Sequence, residues 1–319
     1  MDFRQLGKSD IYISPILMGT WQAGRQMWAA IDDADTIAAI RAAFDQGVTT
    51  VDTAEVYGNG YSERIVQKAL GDVRKEAVYA TKVFANHLSY DQVLEACHRS
   101  LRNLQTDYID LYQMHWPAGA FGTAEVPVEE TMRALNNLKK QGKIRAIGVS
   151  NFSRRQLEEA ALYGRIDSLQ PPYSLFWRHV EKDAMQYCVD NQVTILAYSS
   201  LAQGLLTGKF GADHRFAKGD HRAKNRLFHG KIFERVQQAL AELGDISRRL
   251  NLPMSQVALA WVIRQPMTCA IAGARNADQS RLNAGAAHVT LSESDLERID
   301  AAGRLVSEHL DDDPVMWKW

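Results

Sequence analysis

Short apolar runs alternate with amphipathic, helix-like segments along most of the chain. Each run is followed by a loop and then by a segment with helical periodicity, a pattern typical of a parallel sheet. Eight such units in 319 residues predict an α/β fold, the (β/α)8 or TIM barrel, as a single domain over residues 1–319. The predicted strands are Ile16–Gly19, Thr50–Asp52, Val78–Thr81, Ile109–Met114, Ala146–Val149, Ser168–Gln170, Thr194–Tyr198 and Thr268–Ile271.

The helical segments carry signals for their ends. Ser62 is predicted to cap the helix that follows it. Two serine–glutamine pairs match capping boxes, in which each residue bonds the backbone N–H of the other. They are Ser89 with Gln92 and Ser153 with Gln156.

Two regions fall outside the repeat. An N-terminal β-hairpin is predicted, turning at residues 7–10, and it would plug the bottom of the barrel. The second region, Lys209–Arg226, follows the seventh strand and is basic and poor in apolar residues. A long loop at the catalytic end of a barrel favours a lid, and a solvated linker is the alternative.

Composition narrows the function classes. The formal net charge is −1 with no long run of one sign, so nucleic acid is not an expected partner. No apolar stretch reaches the roughly 18 residues of a membrane span, and the N-terminal residues lack a signal-peptide pattern. Cys97, Cys188 and Cys269 lie far apart without a CxxC pair, which predicts reduced thiols in a cytoplasmic protein.

Four polar residues follow or end predicted strands. Asp52, Lys82 and His115 do so directly, and Tyr57 lies in the loop after Asp52. Because the carboxyl ends of barrel strands converge on one face, these four side chains are expected to meet in one pocket. Singly, each has a structural alternative: a buried ion pair, a packed tyrosine or a core histidine.

Together, the four suit the reduction of a carbonyl group. Tyrosine is a weak acid, with a free pKa of about 10, and an adjacent Lys82 ammonium would lower that value. Asp52 would hold Lys82, and His115 would donate a hydrogen bond to the carbonyl oxygen. Tyr57 would then give its proton to that oxygen as a hydride arrives at carbon.

The chain resembles the aldo-keto reductases. It is most similar to the bacterial branch of that family, which also shares features with potassium-channel β subunits. The resemblance runs the whole length and rests on LMGTW (17–21), VDTAEVYGNGYSE (51–63), TKV (81–83), DLYQMHWP (110–117), GVSNF (148–152), QPPYSLFWR (170–178), AYSSLAQGLLTGK (197–209) and GARNADQSRLNAG (273–285). It implies a β/α barrel, NADP(H) as cofactor, and Tyr57 as general acid/base with Asp52, Lys82 and His115 completing a tetrad.

The resemblance also implies how the cofactor binds. Ser150, Asn151 and Gln170 would hold the nicotinamide carboxamide, and Tyr198 would stack on its ring. The 199–206 backbone would approach the pyrophosphate, and Arg275 would meet a 2′-phosphate. Many members of the family carry a basic residue where Gln279 stands and an acidic residue where Leu282 stands. The strength of any preference for NADP(H) over NAD(H) therefore stays open. The full predicted set is Thr20, Trp21, Ser150, Asn151, Gln170, Tyr198, Ser199, Leu201, Gly204, Leu206, Lys209, Gly273, Arg275, Gln279 and Asn283.

Aromatic residues after the strands predict the substrate pocket. Trp21, Phe84, Trp116 and Trp177 are expected to line the barrel mouth, with Trp28 and Phe121 as weaker candidates. Aromatic walls suit carbonyl compounds with apolar bodies and also sugars. The predicted partner is therefore a small carbonyl or polyol substrate.

Two other functions stay open at this point. One is a sugar or polyol dehydrogenase working in the oxidative direction with NADP. The other is an NADPH-binding regulatory subunit. No metal site is predicted, because the histidines show no HExxH or paired ligand spacing. The sequence does not indicate the physiological substrate, the oligomeric state or the role of the C-terminal tail with Trp317 and Trp319.

Overall fold

A closed barrel of parallel strands forms the centre of the molecule. The computed structural model describes residues 1–25, 28, 31–211, 213–217 and 220–311, so the C-terminal tail with Trp317 and Trp319, whose role the sequence leaves open, lies outside the described residues. The hairpin strands are β1 (Arg4–Gln5) and β2 (Tyr12–Ile13). The barrel strands are β3 (Ile16–Gly19), β4 (Thr50–Asp52), β5 (Val78–Val83), β6 (Ile109–Met114), β7 (Ile144–Ser150), β8 (Ser168–Gln170), β9 (Thr194–Ala197) and β10 (Thr268–Gly273).

These strands confirm the predicted fold. They pair in the order β10-β3-β4-β5-β6-β7-β8-β9, and the ring closes between β9 and β10. Four of the eight have the predicted bounds, while β5, β7 and β10 are longer and β9 ends one residue earlier. Pairing with neighbours on both sides extends a strand beyond the apolar run that signals it.

Helices surround the barrel. They are α1 (Asp33–Asp45), α2 (Tyr61–Leu70), α3 (Tyr90–Leu104), α4 (Val128–Lys140), α5 (Arg154–Ala161), α6 (His179–Lys182), α7 (Met185–Asn191), α8 (Gly230–Leu250), α9 (Met254–Arg264), α10 (Ala277–Gly285) and α11 (Glu293–Ser307). Both predicted capping boxes are present, at the starts of α3 and α5. In the described part of the chain, no helix has the length and apolar character that a membrane crossing requires.

The predicted cap at Ser62 is wrong. Helix α2 begins one residue earlier, with Gly60 as its N-cap residue. The Ser62 hydroxyl instead donates to the Thr20 carbonyl oxygen (2.9 Å) and accepts from the Thr53 hydroxyl (2.8 Å). These contacts join the loops after β3 and β4, so tertiary bonding takes the group that local sequence assigns to a cap.

The N-terminal hairpin fills the lower end of the barrel, as predicted. Leu6, Ile11 and Ile13 pack in one cluster with inward-facing strand residues such as Leu111. The Gly7 N–H donates to the Thr194 hydroxyl at 2.8 Å. Gly7 has a φ of +56°, and a Cβ there would lie 2.5 Å from a backbone oxygen of Asp167, so this close approach requires glycine.

The lid segment contains a small aromatic core. The rings of Phe210, Phe216 and Phe228 meet at centroid distances of 4.7–5.6 Å. The Asn225 amide donates to the Gln203 side-chain oxygen at 3.1 Å, which joins the segment to the loop after β9. The segment is therefore packed beside the barrel mouth. Phe210 and Phe216 give it an apolar core, although most of its residues are polar.

Candidate active site

The four residues of the predicted tetrad meet at the carboxyl end of the barrel. Asp52 ends β4, Lys82 lies near the end of β5, and His115 directly follows β6. The Lys82 ammonium donates to Asp52 Oδ1 and to the Thr53 carbonyl oxygen, both at 2.7 Å. It lies 5.1 Å from the centre of the Tyr57 ring, which meets the His115 ring edge-on at 5.6 Å.

Lys82 is a fully buried ion-pair partner. Its side chain is 0% exposed, and burial lowers the pKa of its ammonium, while Asp52 opposes that change. Two short hydrogen bonds to oxygen offset the cost of burying the charge. The ion pair places a cation directly beside the Tyr57 ring.

Tyr57 differs electrostatically from the sequence expectation. Burial raises the pKa of its phenol well above the ordinary value, and the charge of Asp52 and the neighbouring Tyr198 raise it further. The expected lowering of the Tyr57 pKa by Lys82 is therefore wrong, because burial of the phenol dominates and the charge of Asp52 acts in the same direction. The phenol is held in its protonated form at neutral pH.

His115 is neutral at the same pH. Burial lowers the pKa of its imidazole well below the usual value, and the charge of Lys82 adds to this. A neutral imidazole carries one N–H and can act as a hydrogen-bond donor without a charge. Its buried Nδ1 has no hydrogen-bond partner within the described residues. The ring also lines the cavity above the tetrad, where it can bond a ligand.

A cavity of about 800 Å³ opens above these residues. Its volume lies within the usual range for ligand sites. Most predicted site residues line it: Thr20, Trp21, Asp52, Tyr57, Phe84, His115, Trp116, Ser150, Asn151, Gln170, Tyr198, Ser199, Leu201, Gly204, Lys209, Gly273, Arg275, Gln279 and Asn283. Lys82 lies beneath the cavity rather than in its wall.

Besides Lys82, two predicted residues do not line this cavity. Trp177 is 2% exposed and packs in the core, with the Arg226 guanidinium 4.7 Å from its ring centre. The loop after β8 doubles back through a bridge between Ser174 and Trp177, which turns the indole inward. Leu206 is likewise fully buried in the core. The prediction that Trp177 forms a wall of the mouth is wrong.

Hydroxyl and amide groups form a network at the inner end of the cavity. Tyr198 donates to Asn151 Oδ1 at 2.8 Å, and Asn151 Nδ2 donates to the His115 carbonyl oxygen at 3.0 Å. Ser150 donates to the Gln170 carbonyl oxygen at 2.8 Å. Asn151 has a φ of +62°, a strained backbone conformation of the kind that clusters at ligand sites.

Three cations lie at the outer end of the cavity: Lys209, Arg222 and Arg275. Burial lowers the pKa of Lys209, and the charges of Arg222 and Arg275 lower it further, with Asp220 opposing. Burial and the charge of Arg222 likewise lower the pKa of Arg275. Mutual repulsion among partly desolvated cations favours an anionic ligand such as phosphate.

Arg222 was not identified from the sequence. It sits on the lid, and its guanidinium bonds Asp220 (Nε to Oδ1, 2.9 Å). It also lies 5.4 Å from the centre of the Trp28 ring, which itself meets Trp21 edge-on. The basic composition of the lid was the available signal, but composition does not show which lid arginine faces the cavity.

Aromatic side chains surround the space above the tetrad. Phe84 packs edge-on against His115 at 5.6 Å and stacks on Phe121 at 5.7 Å, and Phe121 meets Trp116 at 4.9 Å. Phe121 therefore belongs to the wall despite its place on a longer loop. This side of the cavity is apolar, in contrast to the cationic outer end.

The sequence matches the model of the aldo/keto reductase family over residues 15–304. The chain belongs to this family. It is therefore an oxidoreductase on a (β/α)8 barrel, and its tetrad lies at the end of the barrel where such folds carry out their chemistry. Within the described residues, no cluster of three or more His, Cys, Asp or Glu side chains could hold a metal ion.

Individual relatives cover nearly the whole chain. "Aldo-keto reductase YhdN" of Bacillus subtilis is 36% identical over 327 residues, covering 99% of this chain and 96% of the relative. The structure of the glycerol dehydrogenase AKR11B4 from Gluconobacter oxydans superposes with a TM-score of 0.88 at 33% identity, covering 97% of this chain and 98% of that one.

The relatives differ in cofactor. A Klebsiella pneumoniae aldo/keto reductase was solved in complex with NADP and acetate; it is 29% identical, with a TM-score of 0.74 and coverage of 96% and 95%. The "NADH-specific methylglyoxal reductase" of Escherichia coli is 33% identical over 313 residues, covering 91% of this chain and 94% of the relative. Family membership alone thus does not decide between the two nicotinamide cofactors.

Proposed function

We propose that this protein is an NADP(H)-dependent reductase that converts an aldehyde or ketone to its alcohol, with Tyr57 as the general acid. The observation that carries this proposal is the joint placement of Tyr57, Lys82 and His115 beneath a cavity with a cationic outer end. Tyr57 and His115 face the cavity, Lys82 lies behind Tyr57, and the cations provide a place for phosphate.

The lining residues fit a dinucleotide. Ser150, Asn151 and Gln170 present hydroxyl and amide groups that match a carboxamide. Tyr198 offers a flat ring for stacking. Gly204 has a φ of +95° and lets the 199–206 backbone pass close to a pyrophosphate. When bound, the reduced nicotinamide would supply the hydride.

Arg275 and Arg222 favour NADP(H) over NAD(H). The extra phosphate of NADP(H) carries negative charge, and a guanidinium binds it through paired N–H groups. The repulsion between these two arginines in the free protein would be relieved by that phosphate. Leu282, which also lines the cavity, offers the cofactor only apolar contact.

The proton chemistry follows from the charge states of the tetrad. Neutral His115 would donate a hydrogen bond to the carbonyl oxygen and fix its position. The protonated phenol of Tyr57 would give its proton to this oxygen as negative charge develops there, and the Lys82 ammonium would stabilise the phenolate left behind. Solvent would return the proton to Tyr57 after the alcohol leaves.

A polyol dehydrogenase is the second candidate. The solved structural relative from Gluconobacter oxydans is named as a glycerol dehydrogenase, and the same tetrad would serve in reverse with Tyr57 as base. The third, an NADPH-binding regulatory subunit, would leave the complete proton-transfer geometry unused. We place the protein in the cytoplasm, consistent with three buried free cysteines.

A substrate screen with both cofactors tests the proposal. Aromatic aldehydes, small aldehydes, sugars and polyols would be assayed with NADPH, NADH, NADP⁺ and NAD⁺ by absorbance of the reduced nicotinamide. We expect aldehyde reduction that is faster with NADPH than with NADH at subsaturating cofactor. Turnover only with a polyol and NADP⁺ would support the dehydrogenase, and tight NADPH binding without any turnover would support the regulatory subunit.

A further inference from the structure

Gln170 contacts Asp52, a contact that a role in carboxamide binding does not require. Its Nε2 donates to Asp52 Oδ2 at 2.9 Å and lies 3.4 Å from the Gln113 side-chain oxygen. We propose that Gln170 couples the bound nicotinamide to the proton-transfer residues, holding Asp52 with its amide nitrogen and the nicotinamide carboxamide with its oxygen. This inference rests on the function proposed above.

The orientation of the Gln170 amide follows from its neighbours. An ionised carboxylate such as Asp52 only accepts hydrogen bonds, so the nitrogen of Gln170 must face it. The second N–H of that nitrogen points to Gln113, so both of its hydrogens lie inside the barrel. Gln170 is 2% exposed yet lines the cavity, and its carbonyl oxygen remains as the acceptor for a carboxamide N–H.

Asp52 is fixed from two sides. Its Oδ1 accepts from Lys82 at 2.7 Å and its Oδ2 accepts from Gln170 at 2.9 Å. The Lys82 ammonium, which lies beside the Tyr57 ring, therefore depends for its position on a carboxylate that Gln170 orients. Contacts run from Gln170 through Asp52 and Lys82 to Tyr57, and a bound carboxamide would extend this series at Gln170.

Few other ionisable groups influence this series of contacts. Within the described residues, they are Tyr198, which acts on Tyr57, His115 beside Lys82, and Glu63, which acts on Lys82 from α2; Tyr57 itself interacts with Asp52. Gln170 is a positioning residue in this scheme, because it acts on Tyr57 through Asp52 and Lys82. Its substitution should change how the rate depends on pH, beyond any change in cofactor affinity.

Gln170→Glu tests the coupling because the ability of the new side chain to donate a hydrogen bond to Asp52 depends on pH. A protonated glutamic acid can still donate to Asp52, whereas an ionised one cannot and repels it. Two carboxyl groups at hydrogen-bond distance share one proton, which strongly raises one of their pKa values. The variant should therefore work at low pH and lose activity as that shared proton leaves, while its second oxygen can still accept from the carboxamide.

The experiment compares kcat/KM from pH 5 to 9 for the wild type, Gln170→Glu and Gln170→Met, with the NADPH dissociation constant measured by fluorescence at each pH. The ratio of kcat/KM for Gln170→Glu to that of the wild type should fall at least about tenfold with rising pH, because the ionised carboxylate repels Asp52 and can no longer donate to it. Gln170→Met, which has no donor, should be reduced at every pH. Gln141→Glu adds the same charge at an exposed helix end and should follow the wild-type profile.

A cofactor analogue provides an independent test with the uncharged variant Gln170→Met. The 3-acetylpyridine analogue of NADPH replaces the carboxamide with a methyl ketone and has no N–H to donate. The loss in kcat/KM caused by Gln170→Met should be smaller with the analogue than with NADPH, because the two changes interrupt the same chain of contacts. Equal losses with both cofactors would contradict the coupling.

The remaining outcomes separate the two proposals. A Gln170→Glu profile parallel to that of the wild type, or a loss that follows the NADPH dissociation constant alone, would overturn the coupling and leave the reductase function intact. Absence of NADPH-dependent aldehyde reduction by the wild type would overturn the proposed function and this inference with it.

Discussion

The two ends of the barrel differ in how some of their polar and charged side chains are paired. At the amino end, Asp110 accepts from the Tyr79 N–H (2.9 Å), Arg145 (2.8 Å) and Arg74 (2.9 Å). At the carboxyl end, His115 Nδ1 has no hydrogen-bond partner among the described residues, and Lys209 and Arg275 face like charges. The paired Asp110 stabilises the lower end, whereas unused hydrogen-bonding capacity and neighbouring like charges leave the upper end able to bind a ligand.

The backbone shows the same contrast. Near the lower end, Gln105 and Gln192 adopt positive φ as the residues that terminate α3 and α7, a regular way to end a helix. Near the upper end, Phe121, Asn151 and Ser199 adopt positive φ in loops that line the cavity. Strain at the upper end aims side chains at the ligand site. Substitutions should therefore affect rate and affinity at one end and stability at the other.

Tyr57→Phe should have the largest effect. It removes the proton donor and keeps the ring, so kcat/KM for aldehyde reduction should fall by at least about a hundredfold while NADPH affinity is retained. Steady-state kinetics and fluorescence titration measure the two quantities. Tyr163→Phe, at an exposed tyrosine after α5, is the matched control. Turnover near the wild-type rate in Tyr57→Phe would refute its role.

Asp110→Ala should reduce stability instead of chemistry. It leaves Arg74 and Arg145 without their buried partner, and the free energy of unfolding should fall by roughly 3 kcal/mol. Arg145 also pairs with Asp10, which is largely exposed, so Asp10→Ala should change stability by less than about 1 kcal/mol. Denaturant unfolding measures both. A large loss of kcat in folded Asp110→Ala would contradict the division between the two ends.

Arg275→Ala should have the smallest effect of the three. Loss of one charge-assisted contact should weaken NADP(H) binding by about tenfold and NAD(H) binding much less. Arg281, on the helix α10 that follows Arg275 and paired with Asp278, gives the control substitution Arg281→Ala. Equal weakening for both cofactors would rule out a contact between Arg275 and the 2′-phosphate.

The sequence predicted what depends on position relative to a strand. Asp52, Lys82 and His115 could be assigned to one site because each ends or follows an apolar run, and parallel strands bring their carboxyl ends together. The hairpin was predictable because its turn and apolar residues are local. Strand bounds were close for the same reason.

Features that depend on tertiary contacts were not predictable. Trp116 and Trp177 both lie in loops after strands, and the sequence does not distinguish them. The structure shows that the loop after β8 doubles back and turns Trp177 into the core. The lid contains several arginines, and only the fold shows that Arg222 reaches the cavity while Arg226 pairs with Asp311. The pKa of Tyr57 depends on burial, which the spacing of charged residues does not reveal.

The hairpin that fills the floor of the barrel has a kinetic consequence. Because Leu6 and its neighbours fill the amino end of the barrel, ligands reach Tyr57 and His115 from the carboxyl end. Both reactants would therefore enter through the same opening. On the function proposed above, a carbonyl compound bound over the nicotinamide would have to leave before the cofactor could. Gly7, far from the chemistry, would contribute to that order, because its close approach to Asp167 keeps the hairpin against the barrel.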